Sequence, residues 1–202
     1  MVQFITKELK QNKVHLLGSS WGNVLGFYMV KYNYELWHAY YASNPIISQL
    51  ASEKKILKIL KSPFKENATA SEELAKVKIS FEIDEDLFYT RKWLFYKNGK
   101  AFANNEGFKK GFLQWSKTWS LAWNEVMTIN LPKTLKEVQC PIYFFVGKND
   151  IQTSPTITVN YFEDLKAPKK ALFIFENSGH QIHQDEPKKF QDAIIGILNA
   201  KN

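Results

Sequence analysis

Val14-His15-Leu16-Leu17-Gly18-Ser19-Ser20-Trp21-Gly22 decides how the rest of this 202-residue chain is read. Val14 to Leu17 is a short apolar strand that runs straight into Gly18-x-Ser20-x-Gly22. Beyond it Val24, Leu25, Tyr28, Met29 and Tyr32 recur at helical spacing, and Asn33 offers a stop. A serine between a strand and a helix, flanked by glycines at two-residue steps, is pushed to the tip of a strained turn. The glycines are expected to remove side chains that would clash there, leaving the serine oxygen exposed at the carboxyl edge of a sheet. The backbone N–H of Trp21, at the helix start, could donate to a tetrahedral oxyanion. Three fixed positions recur by chance in about one chain in fifteen, so the motif alone can also be read as a glycine-rich strand-to-helix turn.

Outward from this stretch, residues 3–12 read as a short polar helix and residues 36–43 as the next strand. Helix, strand, sharp turn, helix, strand is the logic of a parallel α/β sheet. After Asn44-Pro45 the texture changes, and to about residue 135 only helical patterns occur. They cover 46–60, 71–77, 84–96 (from a capping Asp84 to just before Gly99), and a last helix carrying Trp115, Trp119 and Trp123 at four-residue steps. Then strand 141–146, helix 154–165, strand 171–175 and helix 187–198 restore the α/β pattern. The expected organisation is an α/β core from residues 1–44 and 136–202, with residues 45–135 inserted as a helical lid.

Two further residues change the reading of Ser20. The run Ile142-Tyr143-Phe144-Phe145-Val146 ends in Gly147-Lys148-Asn149-Asp150, and Leu172-Phe173-Ile174-Phe175 is followed by Glu176-Asn177-Ser178-Gly179-His180. Residues just past buried parallel strands collect at the carboxyl edge of the sheet. Taken singly, Asp150 could cap the next helix and His180 could be an ordinary loop residue. Together with Ser20 they supply nucleophile, acid and base in the order Ser, Asp, His, each after its own strand. Two other common serine triads have different chain orders.

In these residues the chain resembles the α/β-hydrolase superfamily, in its proline iminopeptidase-like branch. The resemblance rests on residues 14–22, on Pro141 to Asp150, on Asn160 to Lys170, on Phe175 to His180, and on Glu186-Pro187. It covers nearly the whole chain, the lid least specifically. It implies a mostly parallel sheet flanked by helices, with Ser20, Asp150 and His180 as catalytic residues, and a serine hydrolase acting on a small ester, amide or short peptide. It calls for neither metal nor organic cofactor. Ser19 stands where the branch commonly has histidine. The branch also has several strands before the nucleophile and a His-Gly-Gly-Pro-Gly-like loop that supplies a second oxyanion donor. Here Ser20 follows a single strand, so the expectation is a fold lacking its N-terminal strands and that loop. Losing one oxyanion donor typically costs about a hundred- to a thousandfold in turnover. The alternative function is therefore a catalytically impaired, oligomeric binding protein. A truncated gene and an expressed fragment account equally for such a chain.

An absent neighbour would leave strand 14–17 as an apolar edge, which predicts a homo-oligomer through that edge. In the inserted helices, the Trp115, Trp119 and Trp123 stripe reads as packing or as the lining of an apolar substrate pocket. The resemblance to iminopeptidases also makes Glu125 and other lid carboxylates candidates for holding a substrate's free amino group. Composition narrows the remaining classes. A 45 % hydrophobic and 15 % aromatic chain packs a core. No apolar run reaches membrane-spanning length, and no signal-peptide pattern opens the chain. The net charge of +7 is carried by scattered lysine pairs without nucleic-acid-binding motifs, which argues against a nucleic-acid partner. The one cysteine, Cys140, reads as a core residue and fits a reducing cytoplasm. His183 reads as a surface residue, His15 as part of its strand, and Asp185 and Glu186 as acids for the first turn of the last helix.

Overall fold

A computed structural model describes residues 2–79, 81 and 84–200. The chain divides into two units, one of Met1–Ser48 with Asn130–Asn202 and one of Gln49–Ile129. The first unit holds helix α1 (Val2–Glu8), strand β1 (Val14–Ser19), α2 (Gly22–Tyr32) and β2 (Trp37–Ser43). The second unit consists, among its described residues, of helices and turns. They are α3 (Gln49–Lys61), α4 (Ala68–Lys76), α5 (Asp84–Lys97), α6 (Glu106–Lys117) and α7 (Ser120–Thr128), with a short 3-10 turn at Ala101–Asn104. The chain then returns to the first unit with α8 (Leu131–Thr134), β3 (Ile142–Gly147), α9 (Pro155–Asp164), β4 (Lys170–Phe175), α10 (Ile182–Asp185) and α11 (Pro187–Asn199).

The four strands form one sheet in the order β1-β2-β3-β4, every pair parallel. All their carboxyl ends therefore lie on one edge. β3 is buried along its whole length, as its apolar run requires when a parallel strand is covered on both faces. On one face Phe27 of α2 packs edge-on against Tyr40 with ring centroids 5.3 Å apart, and Phe144 packs against Tyr161 of α9 at 6.2 Å. On the other face Ala39, Tyr41, Tyr143, Phe145 and Phe175 bury against Ile182 and Ile197, with Phe190 of α11 alongside.

Several elements differ from their expected form. α1 stops at Glu8 rather than residue 12, and Lys10 has a φ of +51°, which a helix cannot continue through. α3 begins at Gln49 rather than Ile46, because Ile47 is held outside the helix by a hydrogen bond from Leu131 N–H (2.9 Å) to its carbonyl. The inserted unit thus runs over Gln49–Ile129, several residues inside the expected bounds at either end. α2 buries a face other than the apolar stripe whose spacing marks it as a helix. Asn23, Gly26, Phe27 and Val30 are buried, whereas Leu25 is 64 % exposed and Tyr28 58 %. Both faces of this helix are apolar, so periodicity alone does not choose between them. Close approach does: a Cβ on Gly26 would overlap the Tyr40 ring and hydroxyl.

β1 occupies one end of the sheet, with His15, Leu17 and Ser19 exposed and Leu17 53 % accessible. Among the described residues no helix is long and apolar enough to cross a membrane.

The helical unit is organised around an ion pair. Glu53 of α3 is fully buried and accepts from the Arg91 guanidinium of α5 through both oxygens, at 2.9 and 2.5 Å, and from Gln49 Nε2 at 2.6 Å. Arg91 also lies 5.6 Å from the centre of the Trp123 ring. A buried carboxylate left without its cation is costly, whereas an apolar pair in the same space is not. Arg91→Met is therefore expected to lower unfolding free energy by about 3–5 kcal/mol, measured by urea denaturation. The double change Glu53→Leu/Arg91→Met should recover most of that loss. A single-variant loss below about 1 kcal/mol, the size typical of an exposed pair, would contradict this assignment.

Candidate active site

The site begins with the backbone of Ser20. Its φ is +50°, a conformation that few residues other than glycine adopt, in the turn between β1 and α2. Four hydrogen bonds hold the turn. Ser20 N–H donates to the Ser43 carbonyl at 3.1 Å, and the Ser20 carbonyl accepts from Asn23 N–H at 3.0 Å and from Asn23 Nδ2 at 3.1 Å. Asn23 Nδ2 also reaches the Ser43 carbonyl at 2.9 Å. The remaining oxygen of that amide, Oδ1, accepts from the buried Tyr40 hydroxyl at 2.6 Å. Burial raises the Tyr40 phenol well above its ordinary range, so it stays a donor. Asn23 thus ties the serine turn to the end of β2, a role that no motif in the sequence announced.

The two flanking glycines differ. A Cβ at Gly18 would lie 2.8 Å from the Tyr40 oxygen and 3.0 Å from Asn23 Oδ1, so this position needs glycine. A Cβ at Gly22 would meet nothing within 4 Å, which corrects the expectation that both glycines avoid a clash. Trp21 follows Ser20 at the N-cap of α2.

The ends of β3 and β4 bring two more groups to this turn. His180 Nε2 lies 2.8 Å from Ser20 Oγ, and His180 Nδ1 lies 2.8 Å from Asp150 Oδ2. Asp150 is 2 % exposed and receives donors at both oxygens. Gln152 N–H (2.7 Å) and Thr153 N–H (3.2 Å) reach Oδ1, and the Thr153 hydroxyl reaches Oδ2 at 2.7 Å. A buried carboxylate needs such a shell to remain an acceptor for the histidine. The arrangement makes a continuous path from serine oxygen through imidazole to carboxylate, the geometry that lets a histidine take a hydroxyl proton.

The His180 loop is held from two sides. The end of β3 comes so close to it that a Cβ on Gly147 would overlap the Gly179 carbonyl oxygen. From the other side Glu186 Oε2 accepts from the Ser178 hydroxyl at 2.6 Å and Asn177 N–H at 3.1 Å, while Asp185 Oδ2 accepts from Gly179 N–H at 2.8 Å. These acids were expected to serve the first turn of the last helix. Asp185 closes the short helix α10 and Glu186 is the N-cap residue of α11, yet their carboxylates bind backwards onto the histidine loop. Loop donors at this spacing leave no trace in composition, so the role is not legible in the sequence.

The other singled-out residues fall as follows. Cys140 is buried, and burial pushes its thiol up to about 11, so it is no nucleophile near neutrality. His183 is exposed on α10, and His15 Nδ1 lies 3.1 Å from the Tyr41 hydroxyl on the neighbouring strand. Among the described residues no group of three or more His, Cys, Asp or Glu could hold a metal ion. Trp115, Trp119, Trp123 and Glu125 belong to the helical unit. The tryptophans form a contact chain, with ring centroids 4.7 and 5.6 Å apart, but not along one helix. The helix breaks at Thr118–Trp119, between α6 and α7. At the break the Trp115 carbonyl accepts from Thr118 N–H (3.0 Å) and the Thr118 hydroxyl (2.7 Å), and Trp119 N–H turns to the Ser116 carbonyl (3.2 Å). Trp123 is buried, Trp115 is 56 % exposed, and Glu125 is exposed.

The Ser178 hydroxyl, above all, holds the Glu186 carboxyl below its ordinary range, with Asn177 N–H and Lys189 assisting. A carboxyl depressed in the folded state stabilises the fold above its unfolded value and loses that contribution as pH falls through the folded value. Glu186→Gln should therefore lower the thermal midpoint near neutrality, and the gap to the unmodified chain should close as pH falls below the ordinary glutamate range. A gap independent of pH in thermal scans would remove Glu186 from this role.

No protein-family model matches the chain. It is 22 % identical over 232 aligned residues to a probable aminopeptidase, YbaC, of Bacillus subtilis (strain 168), covering 96 % of this chain and 68 % of that protein. It is 24 % identical to a proline iminopeptidase of Heyndrickxia coagulans, covering 97 % of this chain and 70 % of the relative. Among solved structures, an α/β-fold family hydrolase from Bacillus anthracis str. Sterne superposes with a TM-score of 0.59 at 18 % identity, over 95 % of this chain and 69 % of that one. This chain has the α/β-hydrolase fold and is proline iminopeptidase-like in sequence.

Proposed function

We propose that the chain is a serine hydrolase that cleaves a small ester, amide or short peptide through an acyl-enzyme on Ser20, with an aminopeptidase-like substrate as the first candidate. The observation that carries the reading is His180, whose two ring nitrogens each lie 2.8 Å from a partner, Ser20 Oγ on one side and Asp150 Oδ2 on the other. As Ser20 Oγ attacks the carbonyl carbon, its proton passes to His180 Nε2 and the carbonyl oxygen becomes an oxyanion. Trp21 N–H is the assigned donor to that oxygen. The tetrahedral species collapses, the bond to the leaving alcohol or amine breaks, and the leaving group takes the proton from His180. Water then gives a proton to His180 and attacks the acyl carbon, releasing the acid and returning the proton to Ser20. Asp150 holds the imidazole proton on Nδ1 and supports the transient imidazolium. Trp115, Trp119, Trp123 and Glu125 are candidates for substrate selection, for which changes in KM rather than kcat are the signature.

Hydrolysis of a p-nitrophenyl ester and of amino-acid p-nitroanilides tests the reading. Ser20→Ala and His180→Ala should each lower kcat at least about a thousandfold, and Asp150→Asn on the order of ten thousandfold. Turnover that survives Ser20→Ala would sink it.

A second reading, an oligomeric binding protein, is favoured by one observation. The end strand β1 and the outer face of α2 leave Leu17, Leu25, Tyr28 and Tyr32 more than half exposed. Strand ends of this kind recruit further chains. Self-association through β1 is compatible with catalysis as well. Light scattering should show a dimer or larger species that Leu17→Lys dissociates, and a clean monomer at all concentrations would refute it.

A further inference from the structure

Asn44 follows the last residue of β2 and carries no role in the reading above. It is 1 % exposed and its φ is +41°. Its side chain makes three hydrogen bonds, all to backbone groups of the two loops that carry the candidate acid and base. Nδ2 donates to the Gly179 carbonyl at 3.0 Å and to the His180 carbonyl at 2.9 Å, and Oδ1 accepts from Gly147 N–H at 2.8 Å. The orientation of the amide follows from its partners, since two carbonyls demand donors and an N–H demands an acceptor. Its main chain takes part too. Asn44 N–H donates to the Phe145 carbonyl at 2.8 Å, and the Asn44 carbonyl lies 3.2 Å from the Thr153 hydroxyl, the same group that reaches Asp150 Oδ2.

The two carbonyls held by Nδ2 belong to successive residues, so they fix the peptide planes on either side of the His180 Cα. The N–H held by Oδ1 belongs to Gly147, whose own carbonyl accepts from Asp150 N–H at 3.1 Å and closes the turn that presents the acid. One amide therefore spans the acid turn and the base residue. Few side chains could replace it. Aspartate keeps the acceptor but loses both donors. Glycine suits the positive φ but offers no side-chain group, and apolar residues offer neither.

We propose that Asn44 is a positioning residue, whose side-chain amide bridges the Asp150 turn and the His180 backbone and sets where the imidazole stands against Ser20 and Asp150. The proposal rests on the serine hydrolase reading for its consequence in turnover, but its geometric content can be tested without turnover.

The test compares the full chain with Asn44→Asp and Asn44→Gly, using Arg91→Met as a control that destabilises the helical unit without touching His180. Carbon-edited NMR of histidine-labelled protein follows the rings of the four histidines, with the His180 signal identified by its loss in His180→Gln. The His180 signal should shift or split in both Asn44 variants, while His183 and the control stay unchanged. Hydrolysis by the folded variants should fall about 10- to 100-fold, in kcat with little change in KM. An unmoved His180 signal in a folded variant would overturn the proposal, as would a loss of activity that merely follows the unfolded fraction as in Arg91→Met. Failure of both variants to fold would also overturn it, in favour of a purely structural role. If the unmodified chain does not hydrolyse any substrate, the hydrolase reading fails while the ring spectra still decide the role of Asn44.

Discussion

The left-handed backbone of Ser20 is the constraint on which the rest of this site depends. A φ of +50° at a non-glycine residue costs free energy, and it persists only because its surroundings over-determine it. Those surroundings are the Ser43 carbonyl, the Asn23 amide and the Tyr40 hydroxyl, all at the junction of β1, α2 and β2. The same junction explains which face of α2 is buried. The helix must approach closely enough for Asn23 to reach Ser43, and Gly18 and Gly26 supply the clearance over Tyr40. Local strain, helix packing and the placement of the serine oxygen are thus one arrangement.

Around that fixed point the fold delivers its other groups by parallel topology. Because β1, β2, β3 and β4 all run the same way, whatever follows each strand arrives at one edge. Delivery to the edge is coarse, and the final ångström is set by short loop contacts. The Gly147–Gly179 approach, the backward-reaching Asp185 and Glu186 carboxylates, and the Thr153 hydroxyl on Asp150 do this for the base and the acid. The Gly147–Gly179 approach joins the ends of β3 and β4, whereas the carboxylate and hydroxyl contacts brace the segment that follows a single strand.

This division of labour explains what could be read from the sequence. The alternation of apolar runs and helical patterns revealed the parallel α/β core and the helical insertion, since burial of whole strands leaves a compositional trace. Strand ends followed by Ser20, Asp150 and His180 were equally legible, because their position depends on topology alone. Details that depend on a three-dimensional neighbour were not. Gly22 shares a motif with Gly18 but has no neighbour to avoid. The apolar stripe of α2 had two candidate faces, and only the Tyr40 contact chooses one. The tryptophan spacing is that of a continuous helix, yet Thr118 takes the Trp115 carbonyl that a straight helix would give to Trp119. Asn23 and Asn44 resemble ordinary stop or turn residues until their amides are seen bridging strands.

Activation of Ser20 is read out by mass-spectrometric mapping of a fluorophosphonate adduct on the intact chain, since such probes react with a serine only when a base has activated it. A single adduct is expected on Ser20, lost when His180 is replaced by alanine. A folded chain that remains unlabelled, or an adduct on another residue, would contradict it.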